Sequence, residues 1–125
     1  MQVPIERDQD HPTFELGANR VTSFAAPSRG ASETALYRVD VPPGGGLPPH
    51  THDHFDVFTV SSGGGTFHLG DEWFEMAVGD SATVPIGVRH YLEAGPDGAS
   101  IFVTMVAGTK LIREDGSEVV PPWVS

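Results

Sequence analysis

The chain contains no cysteine. That excludes a disulfide framework and any metal site built on thiolates. Basic residues are scarce: seven Lys and Arg stand against seventeen Asp and Glu, a formal net charge of −10. A surface of that sign repels nucleic acid and anionic lipid, and no basic cluster interrupts it. Long apolar runs are also missing. None approaches the ~20 residues of a membrane-spanning helix. The acidic, proline-bearing start, MQVPIERDQDHP, does not read as a secretion signal. Together these absences lead us to expect a cytoplasmic protein with neither nucleic acid nor membrane as partner, its charge serving solubility.

Helical apolar periodicity is absent as well. The 125 residues instead hold 15 glycines and 11 prolines, the composition of short strands joined by tight turns. A chain of this length forms one domain, residues 1–125, around one core. Residues 1–12 read as a polar arm, loose or laid against a partner. Thr13–Phe24 alternates around a Gly-Ala-Asn turn, and Ala35–Val41 reads as a strand with Tyr37, Val39 and Val41 on one face. Asp56–Ser61 follows, with Phe58 and Val60 on the face of Asp56. Gly63-Gly64-Gly65 reads as a turn. Thr66–Leu69, Glu72–Met76, Ser81–Pro85, His90–Ala94 and Ile101–Val106 read as further strands. The tail, residues 108–125, carries Asp115-Gly116 as a hairpin turn and a Pro121-Pro122-Trp123 segment.

Two stretches carry the chemistry. Residues 44–63 include Pro48-Pro49-His50-Thr51-His52, in which the two histidines share one face of an extended strand. Asp56 lies an even number of positions further on and keeps that face if no bulge intervenes. Residues 79–94 add His90 after a Pro85-Ile86-Gly87 turn. Three imidazoles and a carboxylate form a donor set for one divalent transition ion: Fe, Mn, Ni, Cu and Zn all accept it.

The spacing resembles the cupin superfamily. Its first motif, Gly, five residues, His-x-His, three or four residues, Glu, six residues, Gly, meets Gly44, His50, His52 and Gly63, with Asp56 in place of Glu. Its second motif, Gly, five residues, Pro-x-Gly, two residues, His, three residues, Asn, meets Gly79, Pro85, Gly87 and His90, with Ala94 in place of Asn. The resemblance implies an all-β fold, a single jelly-roll barrel (double-stranded β-helix), and a homodimer. At this size the pattern looks like the quercetin-dioxygenase-like members, which implies a metal-dependent dioxygenase acting on a small aromatic or enolisable compound. Two other readings stand beside it: an oxygen-independent isomerase, cyclase or lyase, and a non-catalytic binder of a small molecule.

His50, His52 and His90 are expected to hold the metal. Asp is one methylene shorter than Glu, so the Asp56 carboxylate falls roughly 1.3 Å short of a glutamate's. It is expected as a direct ligand, with a water-bridged role or a general base as alternatives. His54, on the parity of His52, reads as a replacement ligand or an acid/base group at the pocket mouth, or else as a solvated loop residue. Tyr37, Phe58, Phe102 and Met105 are the candidate substrate-pocket residues, set against plain core packing. His68 reads as structural, Trp73 and Trp123 as packing or interface residues rather than substrate contacts, and Arg89 and Tyr91 should point away from the metal.

Overall fold

The computed structural model describes residues 5–125; the first four residues of the expected arm lie outside them. Among the described residues there are ten strands: β1 (Thr13–Leu16), β2 (Asn19–Ala25), β3 (Thr34–Val41), β4 (Gly46–His52), β5 (Asp56–Leu69), β6 (Glu72–Ala77), β7 (Ser81–Val84), β8 (His90–Val106), β9 (Leu111–Arg113) and β10 (Glu118–Val119). Among the described residues the only helical elements are three short 3-10 turns. The fold is the expected all-β jelly roll. Every strand pairing is antiparallel. The order runs β1-β2-β3-β8-β4-β9-β10, and β5 pairs with β6, β7 and β8. The long strands β5 and β8 pair from Asp56↔Met105 to Leu69↔His90, and so belong to both halves of the curled sheet.

Alternation decides which side chains face inward. In β3, Tyr37, Val39 and Val41 are buried, and in β8 Ala99, Ile101, Val103 and Met105 are. Each such Val or Ile removed from water contributes about 1.5–3 kcal/mol to the fold.

Two expected boundaries are corrected. Gly63-Gly64-Gly65 is not a turn but the middle of β5, where the register against β8 shifts between Val60 and Ser62 and again between Gly63 and Gly65. Glycine is required there by close backbone approach. A Cβ on Gly65 would collide with the Glu93 carbonyl oxygen, and one on Gly63, at φ 66°, with that of Gly98. His90–Ala94 and Ile101–Val106 are likewise one bent strand, β8.

The described part of the arm is not loose. Arg29 Nε donates to Glu6 Oε2 at 3.0 Å, His11 Nδ1 lies 2.8 Å from Glu6 Oε1, and Ser23 N donates to the Pro12 carbonyl. No described helix is long and apolar enough to cross a membrane.

Candidate metal centre

The centre begins with two prolines. Pro48 and Pro49 have no N–H to give the ladder, and the β4–β8 register slips between Leu47 and His50. Beyond the slip His50 pairs directly with His90 of β8. His52, two residues on, shares the inward face. On the other side of β4, His50 faces Arg113 and His52 faces Leu111 of β9. One donor atom from each of His50, His52 and His90 lies within 4.8 Å of those of the other two. The ring centroids are 4.3 Å apart for His50–His90, 4.7 Å for His50–His52 and 5.1 Å for His52–His90.

Hydrogen bonding sets two of the tautomers. His50 Nδ1 lies 2.8 Å from the Pro48 carbonyl and His90 Nδ1 lies 2.9 Å from that of Val88. A carbonyl only accepts, so both Nδ1 atoms carry the proton and both Nε2 atoms offer lone pairs to the interior. His50 Nε2 is 3.1 Å from His52 Nε2, and His52 Nδ1 is buried without a hydrogen-bond partner. Such a convergence of neutral nitrogen donors fits a divalent transition ion, because a shared cation satisfies lone pairs that otherwise face one another.

Burial keeps the donors neutral. It pushes the His52 imidazole down to about 3, with the neighbouring His50 and His90 adding to the effect. It pushes His90 down to about 4, with His50 adding, and it lowers His50 as well. At pH 7 all three rings are therefore neutral.

Asp56 opens β5 and is buried beside the trio but is not part of it. Its Oδ2 lies 3.3 Å from His52 Nε2, and its Oδ1 has no partner. Burial pushes its carboxyl up to about 7. Tyr37, whose hydroxyl burial raises above the usual phenol range with the Asp56 charge adding to the rise, remains a proton donor at all working pH values.

These groups share the wall of a cavity of about 640 Å³. Tyr37 and Phe58 line it as expected, with Phe67 and Trp123 added. Three expected site residues are placed elsewhere. His54 follows the end of β4, where the alternation stops; its side chain is 43% exposed and its Nδ1 meets Asp53 Oδ1 at 2.9 Å. Phe102 lies on the outer face of β8 against Phe24, at 5.6 Å, with the Arg38 guanidinium 5.9 Å from its ring centre. Met105 is buried in the core and does not line the cavity. Phe102 and Met105 are three residues apart, so a strand of period two cannot turn both inward.

Sequence parity missed Phe67. The register shifts in β5 turn Phe67 inward, 6.2 Å from His90, and send His68 to stack on Tyr91 at 4.1 Å. The triple glycine was the available signal for those shifts. Trp123 gave no such signal; it is brought to the cavity by the fold of the tail.

The sequence profile described as Cupin domain matches residues 37–106. The chain belongs to the cupin family. Solved structures similar to this cupin include an RmlC-like cupin from Shewanella frigidimarina, 18% identical, covering 84% of this chain and 91% of that one at a TM-score of 0.71. The polyketide cyclase RemF from Streptomyces resistomycificus is 22% identical, with coverage of 85% and 80% and a TM-score of 0.73. Oxalate decarboxylase from Bacillus subtilis is 19% identical over 77% of this cupin but only 27% of its own chain, at a TM-score of 0.69. At these identities the likeness is one of fold. No curated protein sequence matches the chain significantly.

Proposed function

We propose that this cupin is a metal-dependent dioxygenase that takes a proton from a small aromatic or enolisable substrate held in the barrel, after which dioxygen adds to the deprotonated carbon skeleton. The observation that carries the reading is the placement of Asp56: a buried carboxylate with one free oxygen, beside three convergent imidazoles, on the wall of a cavity with mainly apolar sides. His50, His52 and His90 would hold a divalent ion, which when bound supplies Lewis-acid polarisation of a substrate oxygen. Asp56 Oδ1, free of any hydrogen bond, is placed to accept the proton. Val39, Leu47, Ile101 and Val103 line the cavity and favour an apolar body over water. Both atoms of dioxygen enter the substrate, whose own electrons reduce it, so no external reductant is required.

The same carboxylate favours a second reading. An acid group pushed up to about 7 can return its proton near neutral pH, as an oxygen-independent isomerase, cyclase or lyase requires. Metal-loaded protein incubated with a flavonol and with a 1,3-diketone separates the two. Oxygen uptake matching substrate loss supports the dioxygenase, turnover under nitrogen supports the second reading, and saturable binding without turnover makes the protein a binder. In the first two cases Asp56→Asn should keep its metal while turnover falls about a hundredfold. The reading also takes the protein to be a cytoplasmic homodimer. The absence of cysteine supports the compartment, and the exposed Trp73 and Phe74 on β6, which pairs with β5 alone, support the pairing.

A further inference from the structure

We infer that Trp123 is a substrate-contacting specificity residue, and that the segment after β8 shapes the cavity for a flat, uncharged ring system. This rests on the reading of the cavity as the substrate site.

The path of the segment is the first observation. β9 lies along β4, the strand that carries His50 and His52, and β10 folds back on β9 through a turn at Gly116. The chain then leaves that end of the strand order and packs residues 122–124 against β2 and β3, near the other end. It is tied down there. Ser23 Oγ donates to the Trp123 carbonyl at 3.4 Å, Gly108 N to that of Val124 at 3.4 Å, and Ser28 N to that of Ser125 at 3.1 Å. Val124 is fully buried and anchors the end. A segment held on both sides is a fixed wall, and Leu111, Val119, Pro121, Pro122 and Trp123 from it all line the cavity. The wall lies outside the residues, 37–106, that the family profile matches.

The second observation is the ring array. Trp123 lies 5.9 Å from Phe14 and 6.2 Å from Tyr37 between centroids, within the range of favourable aromatic pairs. Tyr37 and Asp56 line the same cavity. A flat substrate with its reactive oxygen at the histidines would extend this array of rings. Trp supplies a large contact area with few torsions to freeze.

The third observation is charge. The cavity is lined by Glu15, Asp56, Glu114 and Asp115 together with Arg113, and Glu114 is paired with Arg89 at 2.7 Å. A bound divalent ion would draw the substrate's reactive oxygen, and the acidic lining disfavours any further negative charge on the ring system.

The test is calorimetric titration of the metal-loaded protein with two probes. One is a flavonol, whose three rings fill much of the cavity; the other is pentane-2,4-dione, which fills only a small part of it. Trp123→Ala should weaken flavonol binding at least tenfold and leave the small diketone within twofold, with metal content unchanged. Trp123→Phe should recover most of the affinity and Trp123→Leu little of it. The comparison of Phe with Leu decides the matter if the Ala protein fails to fold, because a purely structural role is served by either. Equal flavonol binding by the Phe and Leu proteins, or equal loss of both probes in Trp123→Ala, overturns the inference. A parent protein that binds neither probe overturns the functional reading and the wall with it; flavonol binding that survives in Trp123→Ala overturns the wall alone.

Discussion

The pH dependence of metal binding separates a three-histidine centre from one completed by Asp56. Each donor must lose its proton to coordinate, so protons compete with the ion below each donor's pKa. Three solvent-exposed imidazoles near 6.5 would each be protonated about thirtyfold over at pH 5, and affinity would fall by roughly 10⁴–10⁵ between pH 7 and pH 5. Burial changes this. With His52 at about 3 and His90 at about 4, neither is appreciably protonated at pH 5. Only His50, lowered as well, is left to contribute, and the whole loss should stay below about thirtyfold. Asp56 moves the opposite way, up to about 7. As a ligand it would add roughly tenfold weakening for each pH unit below 7, or about a hundredfold at pH 5.

The perturbation is therefore pH, in the parent and in Asp56→Asn, and the assay is competition for the ion against a chromophoric chelator of known pH behaviour. We expect the two curves to run parallel from pH 7 to pH 5, because Asp56 stands beside His52 and outside the group of three donors. A slope present in the parent and absent in Asp56→Asn would make the carboxylate a ligand. A fall of 10⁴ or more in both proteins would refute the burial argument itself.

Two further outcomes are expected. His90→Ala should lower metal affinity at least tenfold by the same competition assay, since a three-donor site has no spare nitrogen and the change also leaves the Val88 carbonyl without its partner. Gly65→Ala should destabilise the chelated protein by about 1–3 kcal/mol, because a methyl group there meets the Glu93 carbonyl on a neighbouring strand. For a domain of this size that is a fall of about 4–12 °C in Tm. An unchanged melting curve would mean that β5 and β8 are not in the close contact described.

Much of the fold was legible because period two is a local property. Asp56, Phe58 and Val60 lie on one buried face, as their spacing requires, and the His50-Thr51-His52 step needs only an extended backbone. The prolines and the Pro85-Ile86-Gly87 turn are local too. Legibility failed where the alternation was broken by something in a neighbouring strand. The two register shifts in β5 exchange the faces of Phe67 and His68, and nothing within Thr66–Leu69 announces it. Phe102 and Met105 could not both have faced inward, and the register that turns Phe102 out is set by pairing with β3. His54 depended on a strand continuing past His52, but β4 ends there. Trp123 depended on where the tail docks, which is a tertiary fact with no counterpart in its immediate neighbours.

The pairing of β4 with both β8 and β9 has a consequence for folding order. His50 meets His90 only when β4 and β8 are in register, and His52 is held in place by Leu111 from a strand that arrives later in the chain. Neither encounter is local, so the donors are scattered in the unfolded polymer and in any early hairpin. Long-range pairings of this kind close slowly, because chain entropy is lost before contacts repay it. The three nitrogens thus come together only once these long-range pairings are made. An ion bound only by the assembled trio would stabilise the native state by mass action. The centre would then act as a latch, with the stability of the barrel following the supply of metal.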